Sequence, residues 1–301
     1  MNIRNNRILF GLQSLTILLW GSAFSAIRVG LEGYSPEHLS LIRLLVGSVV
    51  LLIFGFLFRI PLPELKDTPA IFLFGGLGFT IYYIALNYGE QTVSAGSASL
   101  FVSTTPIFAA FLGLIFFRQR FGLRRWFGVI LGFIGVALVS SGTGDSFQLS
   151  SGIIFILLAS LSESVYFTFQ KKYIEKYGFL AFTSYTIWAG TILMFIYLPG
   201  LSEEIVNAPH DATLSVIFLG VFPTVVPYLT LAYITTRVDS SESTLSFFLI
   251  PATTFIVSWI WLGEVPTLLS IFGGIITLMG VIVSTMKELI AKKIQSVNLE
   301  P

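Results

Sequence analysis

The sequence predicts an all-α integral membrane protein: ten transmembrane helices arranged as two inverted five-helix repeats around a central cavity. Three features predict it, namely the apolar runs, the placement of basic residues and an internal repeat. Hydrophobic residues fill 54% of the 301 positions and charged residues 11%, with a mean hydropathy of +0.86, whereas a soluble domain carries roughly 25% charge. Apolar runs of about 18 to 23 residues, each able to cross a hydrocarbon layer of roughly 30 Å, recur along the chain. They place helices at Ile8–Gly30, Pro36–Phe58, Pro69–Tyr88, Val93–Phe117, Leu123–Ser140, Gly152–Gln170, Leu180–Leu198, Leu214–Ile234, Ser243–Leu262 and Leu268–Met286. The first run is too long for a cleaved signal and lacks a small-residue cleavage pattern, so it is read as a retained helix.

Helix-ending punctuation separates these runs: Gly33-Tyr34-Ser35-Pro36, Pro61 and Pro63, Gly142-Thr143-Gly144-Asp145, Pro199-Gly200 and Pro266. Basic residues resist translocation and collect on the cytoplasmic side. With both termini inside, every inter-helix lysine and arginine, from Arg4 and Arg7 through Arg124, Lys171 and Arg237 to Lys293, falls in an inner segment. The predicted outer loops hold none. Only Arg28 and Arg43 lie within or at the ends of helices. A miscounted helix would scramble this partition. It predicts a multi-pass protein of the cytoplasmic (inner) membrane.

Shifting the sequence by 145 positions superimposes Gly75, Tyr83, Leu86, Tyr88, Leu100, Pro106, Phe127, Gly128 and Gly135 on Gly220, Tyr228, Leu231, Tyr233, Leu245, Pro251, Phe272, Gly273 and Gly280. Glycines and prolines mark close backbone approach and interrupted helices, which two copies of one fold share. Five helices is an odd number, so the copies are inverted, as in carriers that expose a midplane site to each side in turn. The expected organisation is a first repeat over 1–143, a second over 150–288 and a cytoplasmic tail over 289–301.

Several stretches resemble the EamA-type branch of the drug/metabolite transporter superfamily over nearly the whole chain. They are Leu19-Trp20-Gly21-Ser22-Ala23-Phe24, Pro36 with Arg43, Ala95-Gly96-Ser97-Ala98-Ser99-Leu100 leading to Thr105-Pro106-Ile107-Phe108, then Ile250-Pro251-Ala252, Leu262-Gly263-Glu264, Gly273 and Gly280. The resemblance implies a cavity walled by helices 1, 3, 4, 6, 8 and 9, with helices 5 and 10 packed together outside it. It also implies export of amino acids or related metabolites. Two departures stand out: Gln119 where the pattern usually has glutamate, and Glu163 where an aromatic is common.

Glu163 lies eight residues before Lys171, roughly 12 Å from the helix end at 1.5 Å per residue. A carboxylate there costs about 2.5–3.5 kcal/mol on insertion scales, so it needs a partner or a wet cavity. It suits proton coupling or a counter-ion for a substrate amine; the alternative is a glutamate that only stabilises packing. Helical spacing adds polar and aromatic stripes. Gly76, Thr80, Tyr83 and Asn87 share one face, and Ser160, Glu163, Phe167 and Gln170 another, with Tyr166 alongside. Trp20 with Phe24, Ser97 with Phe101, Thr104 and Phe108, Thr224 with Tyr228, and Thr244 with Phe248 and Pro251 complete an amphipathic lining. The substrate-binding candidates are Trp20, Phe24, Thr80, Tyr83, Asn87, Phe101, Glu163, Tyr166, Tyr228 and Phe248.

Arg43, two turns into helix 2, binds a substrate carboxylate or ties helices together, the structural role being favoured. Arg28 is expected to snorkel to the outer surface, with Glu32 one turn beyond. Glu242 gates with Arg237 or Lys171, or biases a helix dipole. Pro106 and Pro251 should kink helices 4 and 9.

No cofactor or metal site is expected. A zero cysteine count excludes thiol chemistry, and the only histidines, His38 and His210, are both on the outer side. A membrane enzyme therefore has little support. The internal inversion disfavours a channel or receptor, and a net charge of +1 gives no reason to expect nucleic acid. The partners implied are the bilayer, a small molecule and, through Glu163, a proton.

Overall fold

The computed structural model describes residues 3–117, 122–141, 151–235 and 249–297. Among these every regular element is helical. The helices are α1 (Ile3–Gly30), α2 (Pro36–Leu57), α3 (Thr68–Gly75), a π-helical segment (Gly76–Ile81), α4 (Tyr82–Glu90), α5 (Ala95–Val102), α6 (Thr105–Phe117), α7 (Leu123–Ser141), α8 (Ser151–Phe169) and α9 (Lys171–Tyr177). They continue with α10 (Phe179–Met194), α11 (Leu201–Asn207), α12 (His210–Thr235), α13 (Ile250–Leu262) and α14 (Leu268–Val297), with two short 3₁₀ turns.

Among the described residues seven helical stretches are long and apolar enough to cross a membrane: Phe10–Gly30, Pro36–Leu57, Leu65–Glu90, Ala95–Phe117, Ser151–Phe169, Phe179–Tyr197 and His210–Pro227. Three shorter apolar helices, Trp126–Val139, Ile250–Leu262 and Leu268–Gly280, accompany them. Leucine, isoleucine and phenylalanine stand exposed along α2, α7 and α14, which lipid tolerates and water does not. The chain is a multi-pass membrane protein.

Three expected helices differ in detail. The run read as Pro69–Tyr88 contains the π-helical turn between α3 and α4, where one extra residue per turn frees carbonyls. The Leu77 carbonyl accepts from Ser162 Oγ at 2.6 Å. The run read as Val93–Phe117 is interrupted after Val102, because Pro106 has no N–H for the preceding turn. Thr104 N and Thr104 Oγ1 instead donate to the Phe101 carbonyl at 3.0 and 2.7 Å. Pro251 lies in the first turn of α13, and the residues before 249 that would complete a kink lie outside the described set. The segment expected as a tail from 289 continues α14 to Val297. Two short helices, α9 and α11, stand where only loops were expected.

Helix packing is paired. Helix α1 packs on α12 and α13, and α8 packs on α4, α5 and α6; α2 packs on α12 as α10 packs on α3; and α7 runs against α14. Glycines sit at these crossings. A Cβ built on Gly135 falls 2.6 Å from the Gly273 carbonyl oxygen, and one on Gly280 falls 2.6 Å from that of Gly128. Only glycine lets the backbones approach so closely. The same holds where a Cβ on Gly190 meets the Gly75 oxygen at 2.9 Å and one on Gly47 meets the Gly220 oxygen at 3.2 Å.

Candidate functional site

A buried arginine organises the middle of the bundle. Pro223 inside α12 has no N–H to offer the Leu219 carbonyl. The neighbouring Thr224 hydroxyl donates to that carbonyl at 2.8 Å, and its oxygen accepts from Arg43 Nε at 3.0 Å. The Arg43 guanidinium lies over the Tyr83 ring, 3.8 Å from its centre, a cation–π contact. Arg43 is 4% exposed, and its Nη1 has no hydrogen-bond partner.

Glu163 on α8 faces the break between α5 and α6. It accepts from Thr105 Oγ1 at 3.1 Å. Its side chain keeps accessible surface although protein surrounds it. Tyr82, also half-buried, has both Glu163 and Arg43 within electrostatic reach. Arg43 Nη1 therefore lacks a partner, and Glu163 has the Thr105 hydroxyl as its hydrogen-bond donor.

The expected stripes are only partly brought together. Tyr83 joins Arg43 and packs edge-on against Phe79. Tyr166 stacks on Phe182 and meets Phe74 and Phe79 edge-on, with its hydroxyl 3.5 Å from Thr186 Oγ1. Phe24 and Phe101 are buried. Trp20 is half-buried and donates its indole N–H to the Pro223 carbonyl at 3.1 Å. Thr80 instead donates to the Gly190 carbonyl on α10 at 3.0 Å. Asn87 is fully buried and ties α4 to α2 through Ser40 Oγ at 2.8 Å and the Pro36 carbonyl at 3.2 Å. The π-helical turn is the physical reason: its extra residue rotates Gly76 and Thr80 out of the register of Tyr83 and Asn87. Phe248, Thr244, Glu242 and Gln119 lie outside the described residues, as does the Tyr228 side chain.

One group was missed. Glu90, the last residue of α4, is fully buried, and neither carboxyl oxygen has a hydrogen-bond partner. Its place at the end of an apolar run made it read as loop. Arg28, 35% exposed at the end of α1, makes specific contacts there. It donates to the Glu90 carbonyl, lies 3.4 Å from that of Gln91, and pairs with Glu264 at 3.7 Å. Glu264 in turn accepts from the Ala95 N–H at 3.0 Å, at the start of α5. Burial pushes the Glu264 carboxyl above its ordinary value, against the opposing pull of Arg28 and of the Ala95 and Gly96 N–H groups. Arg28, Leu31, Glu32, Gln91, Leu262 and Glu264 line a cleft of about 470 Å³ at this end.

His38 lies on the same end, with Nδ1 2.8 Å from Glu204 Oε2. The Ser35 hydroxyl donates to that carboxylate at 3.3 Å, not to the imidazole, so the trio lacks the nucleophile–base contact of a hydrolase. Among the described residues no cluster of three or more histidines and acids could hold a metal.

A polar, charge-bearing interior in a multi-pass helical protein defines a membrane transporter class. The EamA-like transporter family model matches the chain twice, over residues 8–141 and 150–286, and the chain belongs to that family. It is 55% identical over 275 residues to the uncharacterized transporter YdfC of Bacillus subtilis, covering 91% of this chain and 90% of that one. It is 34% identical, over 91% of this chain and 92% of the other, to a probable terminal-alkyne amino-acid exporter of Streptantibioticus cattleyicolor. A 24% identical relative, covering both chains fully, is the uncharacterized inner membrane transporter YedA of Escherichia coli. A solved crystal structure matches with a TM-score of 0.62 at 16% identity, over 93% of this chain and 97% of that chain.

Proposed function

We propose that this EamA transporter exports a small amphipathic metabolite, an amino acid or a related compound, across the cytoplasmic membrane by alternating access. In this reading ten helices form two inverted five-helix repeats, both termini are cytoplasmic, and the end carrying Arg28 and Glu264 faces outward. The doubled family match and the paired glycine crossings support the repeat: Gly135 meets Gly273 as Gly280 meets Gly128, partners related by the 145-residue shift. The basic residues Arg59, Lys66, Lys171, Lys172 and Lys176 at the opposite end support the orientation.

The single observation that carries the substrate class is a pair of under-partnered groups of opposite charge, Arg43 buried and Glu163 half-buried. Arg43 Nη1 is free to take a carboxylate, and Glu163, held by Thr105 alone, is free to take an ammonium. In this reading Tyr82 and Tyr83, the latter under the Arg43 guanidinium, supply the apolar wall. A multiply charged anion such as a sugar phosphate would need more basic groups than Arg43 provides. That a 34% identical relative is named as an amino-acid exporter agrees with a zwitterion.

Counterflow in proteoliposomes across a panel of amino acids and amines tests the proposal. The expected result is saturable exchange of a zwitterion. Glu163→Gln should lower exchange of substrates with an amine at least about ten-fold, the equivalent of roughly 1.4 kcal/mol. Unsaturable flux, or an unchanged Glu163→Gln variant, would reject it.

A further inference from the structure

The outer end contains an acid with no assigned role, and its surroundings fit an ion site. Glu90 is fully buried, with both carboxyl oxygens unpartnered. Desolvation without a donor disfavours a bare carboxylate. The charged and titratable groups around it are Arg28 from α1, Glu264 from the segment after α13, Arg43 from α2 and Tyr82 from its own helix. Arg28 is the group that can move between two carboxyls. It already donates to the backbone carbonyl of Glu90, while its charge is paired with Glu264. Glu264 does not depend on Arg28 alone, because it also accepts from the Ala95 N–H. The residue after Glu90, Gln91, lines the outer cleft together with Arg28 and Glu264, so water reaches within one residue of the acid.

We propose that Glu90 carries the transported proton, with Arg28 alternating between Glu264 and Glu90 as that proton leaves and returns. In this scheme the arrangement with Arg28 paired to Glu264 is the one in which Glu90 is the neutral acid. When the O–H bond of Glu90 breaks, its proton passes to water in the cleft. Arg28 then shifts to neutralise the new carboxylate, and Glu264 keeps its backbone donor. A proton fits better than sodium, because the Arg28 cation borders the site. The inference rests on the alternating-access reading and moves proton coupling from Glu163, where the sequence alone would put it, to the outer half of α4. Glu163 keeps the substrate amine.

Labelling with N,N′-dicyclohexylcarbodiimide tests this without any substrate, because the reagent modifies protonated carboxyls in apolar surroundings. The full chain is reconstituted in phosphatidylethanolamine and phosphatidylglycerol vesicles, and the modified peptides are read by mass spectrometry. The expected result is label on Glu90 in acid buffer that fades as pH rises, and no such adduct in Glu90→Gln. In Arg28→Gln the label should persist to higher pH, because the cation that stabilises the carboxylate is gone. The wild-type titration needs no variant to fold. Label that is absent at every pH, or unchanging with pH as for a fixed structural acid, overturns the proposal. So does protection by sodium relative to choline. Peptides containing Glu163 are resolved separately, and counterflow is scored separately, so loss of the substrate reading leaves this result standing or falling by itself.

Discussion

The two ends of the bundle are held by different physics. At the end carrying Lys176, the loop before α3 is pinned to α9 by surface charge. Lys176 Nζ lies 2.6 Å from Asp67 and 2.8 Å from Glu64, and the Tyr177 hydroxyl donates to Asp67 at 2.6 Å. Glu64 is held below its ordinary value chiefly by Lys176 and then Lys66, and the Lys176 ammonium is held above its own by Asp67 and Glu64. Glu64 is 49% exposed, Lys176 31% and Asp67 15%, so salt screens the Glu64 contact most. At the opposite end Arg28 and Glu264 are comparably exposed, at 35% and 22%, but Glu90 is fully buried and neither of its carboxyl oxygens has a hydrogen-bond partner. The first end is a latch in which each charge has a partner. The second holds a buried acid without one.

The contrast is broken most directly at Glu264. Glu264→Ala removes the partner of Arg28 and the acceptor for the first N–H of α5. Thermal unfolding in detergent should report a loss of roughly 1–3 kcal/mol, the sum of a helix cap and a charged hydrogen bond. Glu264→Gln keeps an acceptor for α5 and should recover part of it. Lys176→Met, at the latch, should lower the unfolding temperature by less than Glu264→Ala does. That smaller difference should vanish near 1 M salt, where the Debye length is about 3 Å. Equal losses from the two substitutions, or a salt-insensitive Lys176→Met, would mean that the ends do not differ in this way.

What could be read from residues alone follows the same division. Membrane insertion, the doubled architecture and the α7–α14 crossing all rest on apolar length and on glycine periodicity, which are one-dimensional signals. Gly128, Gly135, Gly273 and Gly280 stand at their crossing because no side chain fits there. The site was harder to read. The π-helical turn at Gly76–Ile81 shifts register with no sequence marker beyond Gly76 and Gly78, so Thr80 was aligned with Tyr83 although it bonds to α10, whereas Tyr83 and Asn87 both meet α2. The Arg43 partner was half visible: Thr224 was on a polar stripe, but its adjacency to Pro223, which frees a carbonyl, was the stronger signal. Glu90 could have been found as an acid ending an apolar run without a lysine or arginine beside it in the chain. The second-repeat match to α2 also escaped the 145-residue shift. Gly47 meets Gly220 as Gly190 meets Gly75, which requires a shift of 143 there, two residues short.

The smallest expected effect sharpens the comparison within the Arg28 end. Glu204 receives the Ser35 N–H at 3.0 Å and the Ser35 hydroxyl at 3.3 Å, with His38 beside it. Burial acts to raise its pKa, but the Ser35 and His38 contacts outweigh it and hold the group below its ordinary value of 4.5. A depressed carboxylate stabilises the fold at pH above 4.5, and that contribution is lost as pH falls through the lower, folded-state value. Unfolding temperature should therefore decline on acidification in a window below the ordinary glutamate range, and Glu204→Gln should lack this component. The side chain is 29% exposed, so solvent screening keeps the effect below that of Glu264→Ala. If Glu204→Gln declines over the same window as the wild type, the acid sensitivity belongs to other carboxyls. The Ser35 contact then counts, like the Lys176 latch, as a screened surface bond.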